Sequence, residues 1–460
     1  MNDKYLSKIL RADIFCQSNN FVSYFIWLPN LKTSVLTLTI SLFIIIVLIF
    51  KDSLILSANE ENGPVEIHFV DRISSAHEKI IEAFNKEYQG RIKVVPINLP
   101  FSKFSTNERK EILARSLRSK NEHLDIFAVD LIWAPRFAKW AFPLDTYFDD
   151  DYLTEFWEHT LESCIYEERL VALPLYTDIG LMFYRKDLID KIGFADSLLQ
   201  KSITWTDFIK IGERFKNTSH PFFLFAGDSF EGMICSFHES LPLNSGIEVF
   251  GSEKINLNNN GARKSLQLMV DLIHKYKYAP KEILGFNENK SRLYALKHDA
   301  VFIRGWPGFF KDEPETAKYR DKLKNFRVTG LPHWEGEQKN AVYGGWNLMI
   351  SKFSKNKKEA LQFLKYIVSK KSQNILYSES GFFPALKSAY AQSEFSKDRI
   401  LKLYFELLKN GKHRPFRENY TQVSDIMAHY LHKALQKEIS VDQALSLATD
   451  KINSRQVFIK

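Results

Sequence analysis

Carboxylate and aromatic side chains recur together in this sequence at points where short apolar runs end. Asp71 and Asp130 each end such a run, and Trp133 follows the second of them. A third run, LPLYTDI, contains Tyr176 and Asp178. Carboxylates accept hydrogen bonds from hydroxyl groups, and flat rings pack on the apolar C–H face of a pyranose. These residue types together predict a site for a polyhydroxylated ring.

Two further tryptophans support this prediction because they follow glycines near other apolar runs. Trp306 follows Gly305, and Trp346 follows Gly344 and Gly345. Each feature alone has a purely structural interpretation, since an aspartate after a strand commonly caps a turn or a helix. A single tryptophan, likewise, is commonly a core residue. Their joint recurrence favours a binding site.

Sequence motifs for other chemistry are absent. The chain contains no Walker A sequence, no G-x-G-x-x-G, no H-E-x-x-H, no G-x-S-x-G and no clustered Cys/His metal spacing. We therefore expect no catalytic residue, no metal ion and no cofactor. One enzymatic alternative stays open, since Asp71, Asp130 and Asp178 all lie near predicted strand ends, where two carboxylates could act as a glycosidase pair.

Composition limits the class of protein. The chain has 460 residues, enough for two or three packed units, and its 45% hydrophobic and 26% charged residues exclude a disordered chain or a coiled coil. The net charge of +8 is spread without a long basic run, so we expect no nucleic-acid partner. Aromatic residues reach 14%, more than a core alone usually needs.

The three cysteines, Cys16, Cys164 and Cys235, are too few for a disulfide framework. Pairing of Cys164 with Cys235 stays open for an exported protein. We favour two buried free thiols, because unpaired cysteine behaves as a small buried apolar residue.

An uncharged segment precedes the part of the chain described so far. Residues 33–50 carry no charge and centre on SLFIIIVLIF, which as a helix would span about 27 Å. We predict an uncleaved transmembrane anchor at 33–50, a cytoplasmic tail at 1–32 and a linker at 51–64. Basic residues before the span favour a cytoplasmic N-terminus. This orientation places the chain after residue 50 on the outer side of the cell membrane, in the periplasm or at the cell exterior. A cleaved secretory signal is the alternative.

From Val65 onward the elements that must position these side chains alternate between strand and helix patterns. Runs at 65–71, 92–97 and 124–130 predict strands, and helices are predicted between them. The first helix is expected to open at Ser75 with Glu78 completing a capping box. Strands are also predicted at 170–174 and 180–184, with YTDI as a turn between them, at 300–303 and at 341–350. Such a pattern is typical of an α/β sheet, in which ligands bind outside the carboxyl ends of the strands.

The last eighty residues are predicted to be almost wholly helical. Periodic apolar positions indicate helices at 397–409, 421–437 and 441–452. Ser440 with Gln443 gives the last of these a second capping-box signal.

Over about 400 residues the chain resembles a known family. The matching segments are HLDIFAVDLIWAPRFAKWAFPLDTYF (123–148), LPLYTDIGLMFYRKDLI (173–189), TWTDF (204–208), AVFIRGWPGFF (300–310), AVYGGWNLMISKFSKNKKEALQFLKYI (341–367), SGFFPALKSAY (380–390) and RPFRENYTQVSDIM (414–427). They are similar to the bacterial extracellular solute-binding proteins of family 1, the maltose/trehalose-type receptors of sugar ABC importers.

The resemblance implies a two-lobed, periplasmic-binding-protein-like (type II) α/β fold with hinge crossings. The crossings are expected near 174–178, 343–346 and 371–376. Lobe 1 is then predicted at about 65–175 with 345–372, and lobe 2 at about 178–344 with 373–460. The ligand binds between the lobes in this family.

Site residues carry over position by position from the resemblance. It implies first-lobe ligand positions for Asp71 and Asp130, an acidic hinge position for Asp178, and sugar-stacking positions for Trp306 and Trp346. The remaining candidates are Trp133, Tyr176, Phe230, Glu231, Gly345 and Arg414.

The function implied is a membrane-anchored, non-enzymatic component of an ABC importer. Its expected partners are a sugar or oligosaccharide, the permease subunits in the membrane, and the membrane itself through the N-terminal helix. The main alternative is a ligand-sensing receptor coupled to a membrane signalling partner. A retained membrane helix would differ from the cleaved or lipid-modified signal that most members of this family carry. Nothing in the sequence identifies the sugar.

Overall fold

The computed structural model describes residues 63–100, 103–194, 203–242, 245–250, 254–311, 316–391 and 399–454. The predicted cytoplasmic tail and membrane anchor, residues 1–50, lie outside these ranges. Within the ranges, no helix combines the length and the apolar character needed to cross a membrane.

The described chain alternates strands and helices. The strands are β1 (Val65–Asp71), β2 (Ile92–Asn98), β3 (Ile126–Asp130), β4 (Ile165–Tyr166), β5 (Arg169–Leu170), β6 (Leu173–Ile179), β7 (Leu181–Arg185), β8 (Phe223–Leu224), β9 (Phe302–Gly305), β10 (Phe326–Thr329), β11 (Ala341–Ile350) and β12 (Gly411–Lys412). The helices are α1 (Ser75–Glu87), α2 (Thr106–Arg118), α3 (Ala134–Phe137), α4 (Asp150–Thr154), α5 (Glu158–Glu162), α6 (Lys186–Lys191), α7 (Trp205–Glu213), α8 (Glu231–Ser240), α9 (Ser245–Phe250), α10 (Asn260–His274), α11 (Glu288–His298), α12 (Arg320–Leu323), α13 (Lys357–Ile367), α14 (Lys370–Ser380), α15 (Arg399–Leu408), α16 (Tyr420–Leu435) and α17 (Val441–Asn453).

A first sheet has the strand order β12-β11-β3-β1-β2, and β6 pairs with β11 beside this path. β1 runs parallel to both β2 and β3, whereas β11 runs antiparallel to β3 and β6. Every residue of β3 is buried, as expected for a strand covered on both faces. Helix α1 packs against α14, and α13 packs against β1 and β11.

A second sheet has the strand order β10-β7-β9-β8. Here β7 is antiparallel to β10 and β9, and the short β8 is parallel to β9. Helices α8, α10 and α16 contact one another, and α17 contacts both α10 and α16. The chain passes from the first sheet to the second between β6 and β7, where Gly180 alone separates the two strands.

The predicted turn around YTDI is wrong, because β6 continues through these residues. Tyr176 pairs with Trp346, and Asp178 pairs with Gly344, so β11 holds the segment extended. Gly345 has a φ of +132°, and a Cβ there would lie 2.6 Å from the carbonyl oxygen of Tyr176. The close approach of the two strands at this point requires a glycine at position 345. β6 and β11 contain the first two of the predicted crossings.

The third predicted crossing, at 371–376, falls within helix α14, which packs against α1. The lobe boundaries taken from the resemblance remain predictions.

Helix caps illustrate how far local signals carry. The capping box of α17 is confirmed, with Ser440 and Gln443 bonded reciprocally. The box predicted for α1 is displaced by one residue, because the N-cap is Ser74 and its partner is His77. The backbone N–H of Ser74 donates to Nδ1 of His77 at 3.3 Å, so a histidine takes the role expected of a glutamate.

Cys164 and Cys235 are buried free thiols, which confirms the favoured interpretation for these two residues. Burial raises the pKa of both thiols, so both stay protonated at neutral pH.

Candidate functional site

A cavity of about 170 Å³ lies at the carboxyl ends of β1, β3 and β9, where it also meets β6 and β11. Residues from both sheets line it. From the first sheet and its crossings come Arg72, Asp130, Tyr176, Asp178, Gly344, Gly345 and Trp346, and from the other side come Phe230, Glu231, Glu288, Arg292, Arg304, Gly305 and Trp306. The position agrees with the rule that ligands of open α/β sheets bind outside the carboxyl ends of the strands.

Most of the residues singled out in the sequence meet at this cavity. Its lining includes Asp130, Tyr176, Asp178, Phe230, Glu231, Trp306, Gly345, Trp346 and Arg414. Asp71 and Trp133 do not line it. Asp71 is buried, where it accepts a hydrogen bond of 2.7 Å from Arg109, and Trp133 packs edge-to-face on Trp346 with the ring centroids 5.5 Å apart. Both residues therefore support the cavity wall from behind.

Arg414 joins acidic residues from the two sides of the cavity. Its Nη1 donates to Glu231 at 2.7 Å, and its Nη2 donates to Asp130 at 3.0 Å. Glu231 also accepts hydrogen bonds from the hydroxyls of Tyr420 and Ser424. Burial raises the pKa of Glu231, although Arg414 opposes this effect. The three residues form a buried ion-pair network in which two of the acids on the wall share one guanidinium.

Asp178 is placed differently. It is only 9% exposed, and its Oδ1 has no hydrogen-bond partner among the described residues. Burial and the neighbouring Asp130 both raise the pKa of Asp178. Gly344 pairs with Asp178 across the sheet, and a Cβ at Gly344 would lie 2.7 Å from Cζ3 of Trp306. A glycine is therefore required where the carboxylate and the indole come together.

Arg304 is a cavity residue that the sequence reasoning missed. Its guanidinium forms a bidentate pair with Glu239, with Nε–Oε2 and Nη2–Oε1 distances of 2.9 and 2.6 Å. The guanidinium carbon also lies 3.9 Å from the centroid of the Trp306 ring. A signal was present, because Arg304 precedes Trp306 by two residues and the extended backbone of β9 continues through Trp306, so that the two side chains share one face.

The aromatic rings of the wall differ in how much protein covers them. Trp346 is 7% exposed, and the guanidinium carbon of Arg109 lies 4.1 Å from its ring centroid. Tyr176 stacks on Phe382 with the centroids 4.2 Å apart. Trp306 is partly exposed, which makes it the ring with the most surface available to a ligand.

Glu288, at the first position of α11, also lines the cavity and was not identified from the sequence. Burial raises the pKa of its carboxyl group, while a hydrogen bond with the Trp306 side chain opposes this effect. The Glu288 side chain can pack against α8 because position 232 is a glycine, where a Cβ would lie 2.5 Å from Oε1 of Glu288. That contact depends on tertiary packing, for which the local sequence carries no signal.

Together these side chains supply hydrogen-bond donors, acceptors and a ring face. The described residues contain no group of three or more His, Cys, Asp or Glu placed to hold a metal ion. Such a wall can bind and orient a hydroxylated ligand through its polar groups and its apolar face.

Comparison with known proteins identifies the family. A family model described as bacterial extracellular solute-binding protein matches residues 69–374. Among solved structures, maltose-bound MalE3 of T. maritima is 28% identical with a TM-score of 0.76, and the match covers 85% of this chain and 100% of that chain. It supports the two-lobed α/β fold predicted from the resemblance.

Curated proteins give the same result. A probable ABC transporter-binding protein of Deinococcus radiodurans is 24% identical over 372 residues, which cover 79% of this chain and 86% of that protein. The galactooligosaccharide-binding protein of Bacillus subtilis is 22% identical over 312 residues, covering 64% and 69% respectively. These relatives are binding proteins rather than enzymes. Since the family model spans well over half of the sequence, this chain belongs to the bacterial extracellular solute-binding protein family.

Proposed function

We propose that this chain binds a neutral sugar or short oligosaccharide in the cavity and delivers it to the permease of an ABC importer. The observation that carries the proposal is the meeting of the partly exposed Trp306 ring with the buried carboxylate of Asp178. A ring face and a hydrogen-bond acceptor side by side suit the two surfaces of a pyranose.

The ion pairs around the cavity support a neutral ligand. Four arginines line the cavity, Arg72, Arg292, Arg304 and Arg414, together with four acidic residues, Asp130, Asp178, Glu231 and Glu288. Arg414 pairs with Asp130 and Glu231, and a ligand with a net charge would compete with such pairs in a buried site. The relatives also support a neutral sugar. The structure of one relative contains maltose, and another relative is named as a galactooligosaccharide-binding protein.

Transport in this proposal depends on closure around the ligand. A sugar that touches both Asp178 in β6 and Trp306 after β9 contacts groups carried by both sheets. Open and closed arrangements exchange, and the ligand favours the closed one through these differential contacts. The closed form then docks on the permease.

We further propose that residues 33–50 anchor the protein beside its permease, so that tethering raises the effective concentration without a new contact. The proposal is motivated by the uncharged run in the sequence. N-terminal sequencing of the mature protein is expected to begin in the tail before residue 33. A mature terminus near Asn59 would remove the anchor.

A thermal-shift screen of the full chain in mild detergent tests the ligand class. Maltose, maltotriose, β-1,4-galactobiose and glucose are compared with glucuronate and glucose 6-phosphate. We expect one neutral sugar class to raise the melting temperature in a concentration-dependent way and the anions to leave it unchanged. If no neutral sugar raises the melting temperature, the proposed function is wrong.

A further inference from the structure

Besides Nε of Arg414, two buried polar atoms on the cavity wall have no hydrogen-bond partner among the described residues. They are Oδ1 of Asp178 and Nη1 of Arg304, and Arg304 is only 3% exposed. A buried donor or acceptor left unpaired is costly, and more so when the group is charged. Because both residues line the cavity, the ligand is the natural partner for both atoms.

These two residues are neighbours of the same tryptophan. The guanidinium carbon of Arg304 lies 3.9 Å from the centroid of the Trp306 ring. A Cβ at Gly344 would lie 3.1 Å from Cβ of Asp178 and 2.7 Å from Cζ3 of Trp306. Burial raises the pKa of Asp178 and the positive charge of Arg304 lowers it, so the two charged groups also interact electrostatically. The orphaned donor and the orphaned acceptor therefore belong to one part of the wall.

Arg304 is fixed in this position. Its two hydrogen bonds to Glu239 hold the plane of the guanidinium, so Nη1 cannot turn away from its place without breaking them. A lysine has no such fork, because its ammonium is a single rotatable point charge.

We propose that one hydroxyl group of the ligand bridges Asp178 and Arg304. The hydroxyl donates its proton to Oδ1 of Asp178 and accepts a hydrogen bond from Nη1 of Arg304. A hydroxyl can do both at once, whereas a fluorine or an ether oxygen only accepts and an ammonium only donates. This inference rests on the proposed sugar-binding function and adds to it that the site selects sugars by a hydroxyl at one ring position, with Arg304 as a specificity residue.

Titration calorimetry on the full chain in mild detergent tests the bridge. The probe is whichever of maltose, maltotriose, β-1,4-galactobiose and glucose binds, together with its monodeoxy and monofluoro derivatives. We expect one position at which both the deoxy and the fluoro derivative bind about 10–100-fold more weakly than the parent sugar. Asp178→Ala and Arg304→Lys are each expected to weaken binding of the parent sugar by a similar factor.

The coupling between protein and ligand is the decisive readout. With the deoxy sugar of that position, both variants are expected to bind within about threefold of the unchanged protein, because the contact is already lost. Arg185→Lys is the matched control. Arg185 is also buried and pairs with Asp187 and Asp299, but it does not line the cavity. The sugar affinity of the Arg185→Lys variant is therefore expected to equal that of the unchanged protein.

Three results would contradict the bridge. The first is wild-type affinity in both variants, and the second is an equal deoxy penalty in the variants and in the unchanged protein. The third needs no variant and is the absence of any single hydroxyl whose removal costs tenfold. In all three the proposed sugar-binding function stands. If none of these four neutral sugars binds the unchanged protein, the proposed function and the bridge both fail.

Discussion

Two tryptophans that look alike in the sequence have different surroundings in the fold. Trp306 and Trp346 both follow glycines, and both line the cavity. Arg304 lies over the ring of Trp306, which remains partly exposed. Trp346, in contrast, is enclosed by Arg109 and by the edge-to-face ring of Trp133. The same sequence signal therefore marks one residue suited to stacking and one that holds the wall together.

Substitution of the two tryptophans is expected to separate these roles. Trp306→Ala should weaken sugar binding by about 1–3 kcal/mol, because a ring face is lost from the site, with little change in stability. Trp346→Ala should instead lower the free energy of unfolding by about 3–5 kcal/mol, because it leaves a cavity in the packed wall. Calorimetry and urea unfolding measure the two quantities. Equal effects of both substitutions on both measurements would show that the distinction is wrong.

At the level of single residues the sequence predicts part of the site. Aspartates and rings near strand ends single out Asp130, Asp178 and Trp306, and all three line the cavity. Asp71 gives the same local signal, but Arg109 from helix α2 binds it behind the wall. Glu288 gives no signal, because its place depends on contact between distant helices. A local pattern can show that a side chain lies at a strand end, whereas its partner is set by tertiary packing.

At the scale of elements, α16 connects the two sides of the molecule. Tyr420 and Ser424 on this helix bind Glu231 at the cavity. Asp425, the next residue, accepts hydrogen bonds from Asn107 at 2.8 Å and Lys110 at 3.2 Å, both on α2. One helix thus supports the cavity wall and bonds to α2, whose Arg109 holds Asp71 at the end of β1.

Removal of the Asp425 carboxylate is expected to destabilise this contact. The Lys110 side chain is only 3% exposed, so Asp425→Ala leaves a buried ammonium without its acid and should lower the free energy of unfolding by about 1–3 kcal/mol. The matched control is Asp442→Ala, whose carboxylate is 69% exposed and pairs with Arg263 at the surface. Its expected loss is below about 1 kcal/mol. Urea unfolding of both variants tests the difference, and equal losses would argue against it.

The accuracy of element prediction follows the range of the interactions involved. Strands β1, β2 and β3 and the three C-terminal helices are predicted correctly to within a few residues, because their apolar periodicity is local. The segment Tyr176–Ile179 was predicted as a turn but is extended, since β11 pairs with it from far along the chain. Phe326–Thr329 was not identified, because a four-residue strand has little periodicity of its own.

At the scale of the whole molecule, burial of ionisable groups determines how stability responds to acid. Burial lowers the pKa of four histidines: His77 to about 4, His159 to about 3, His238 to about 3 and His413 to about 4. Between these values and the ordinary value near 6.5, the unfolded chain binds more protons than the folded one. Stability contributed by the neutral histidines is therefore lost as the pH falls below about 6.5. Asp178, Glu231 and Glu288 act in the opposite direction, because burial raises the pKa of their carboxyl groups.

A comparison of variants isolates the contribution of one buried histidine to the pH dependence of stability from the opposing contributions of the buried carboxyl groups. His238 is buried and stacks on Phe250 with the ring centroids 4.7 Å apart, and glutamine at this position would not titrate. Between pH 7 and pH 5, His238→Gln is expected to gain about 2 kcal/mol of stability relative to the unchanged protein, since the unfolded state alone protonates the histidine over that range. Urea unfolding at pH 7, 6 and 5 measures this difference. A constant difference between His238→Gln and the unchanged protein across this range would mean that His238 is not held neutral by burial.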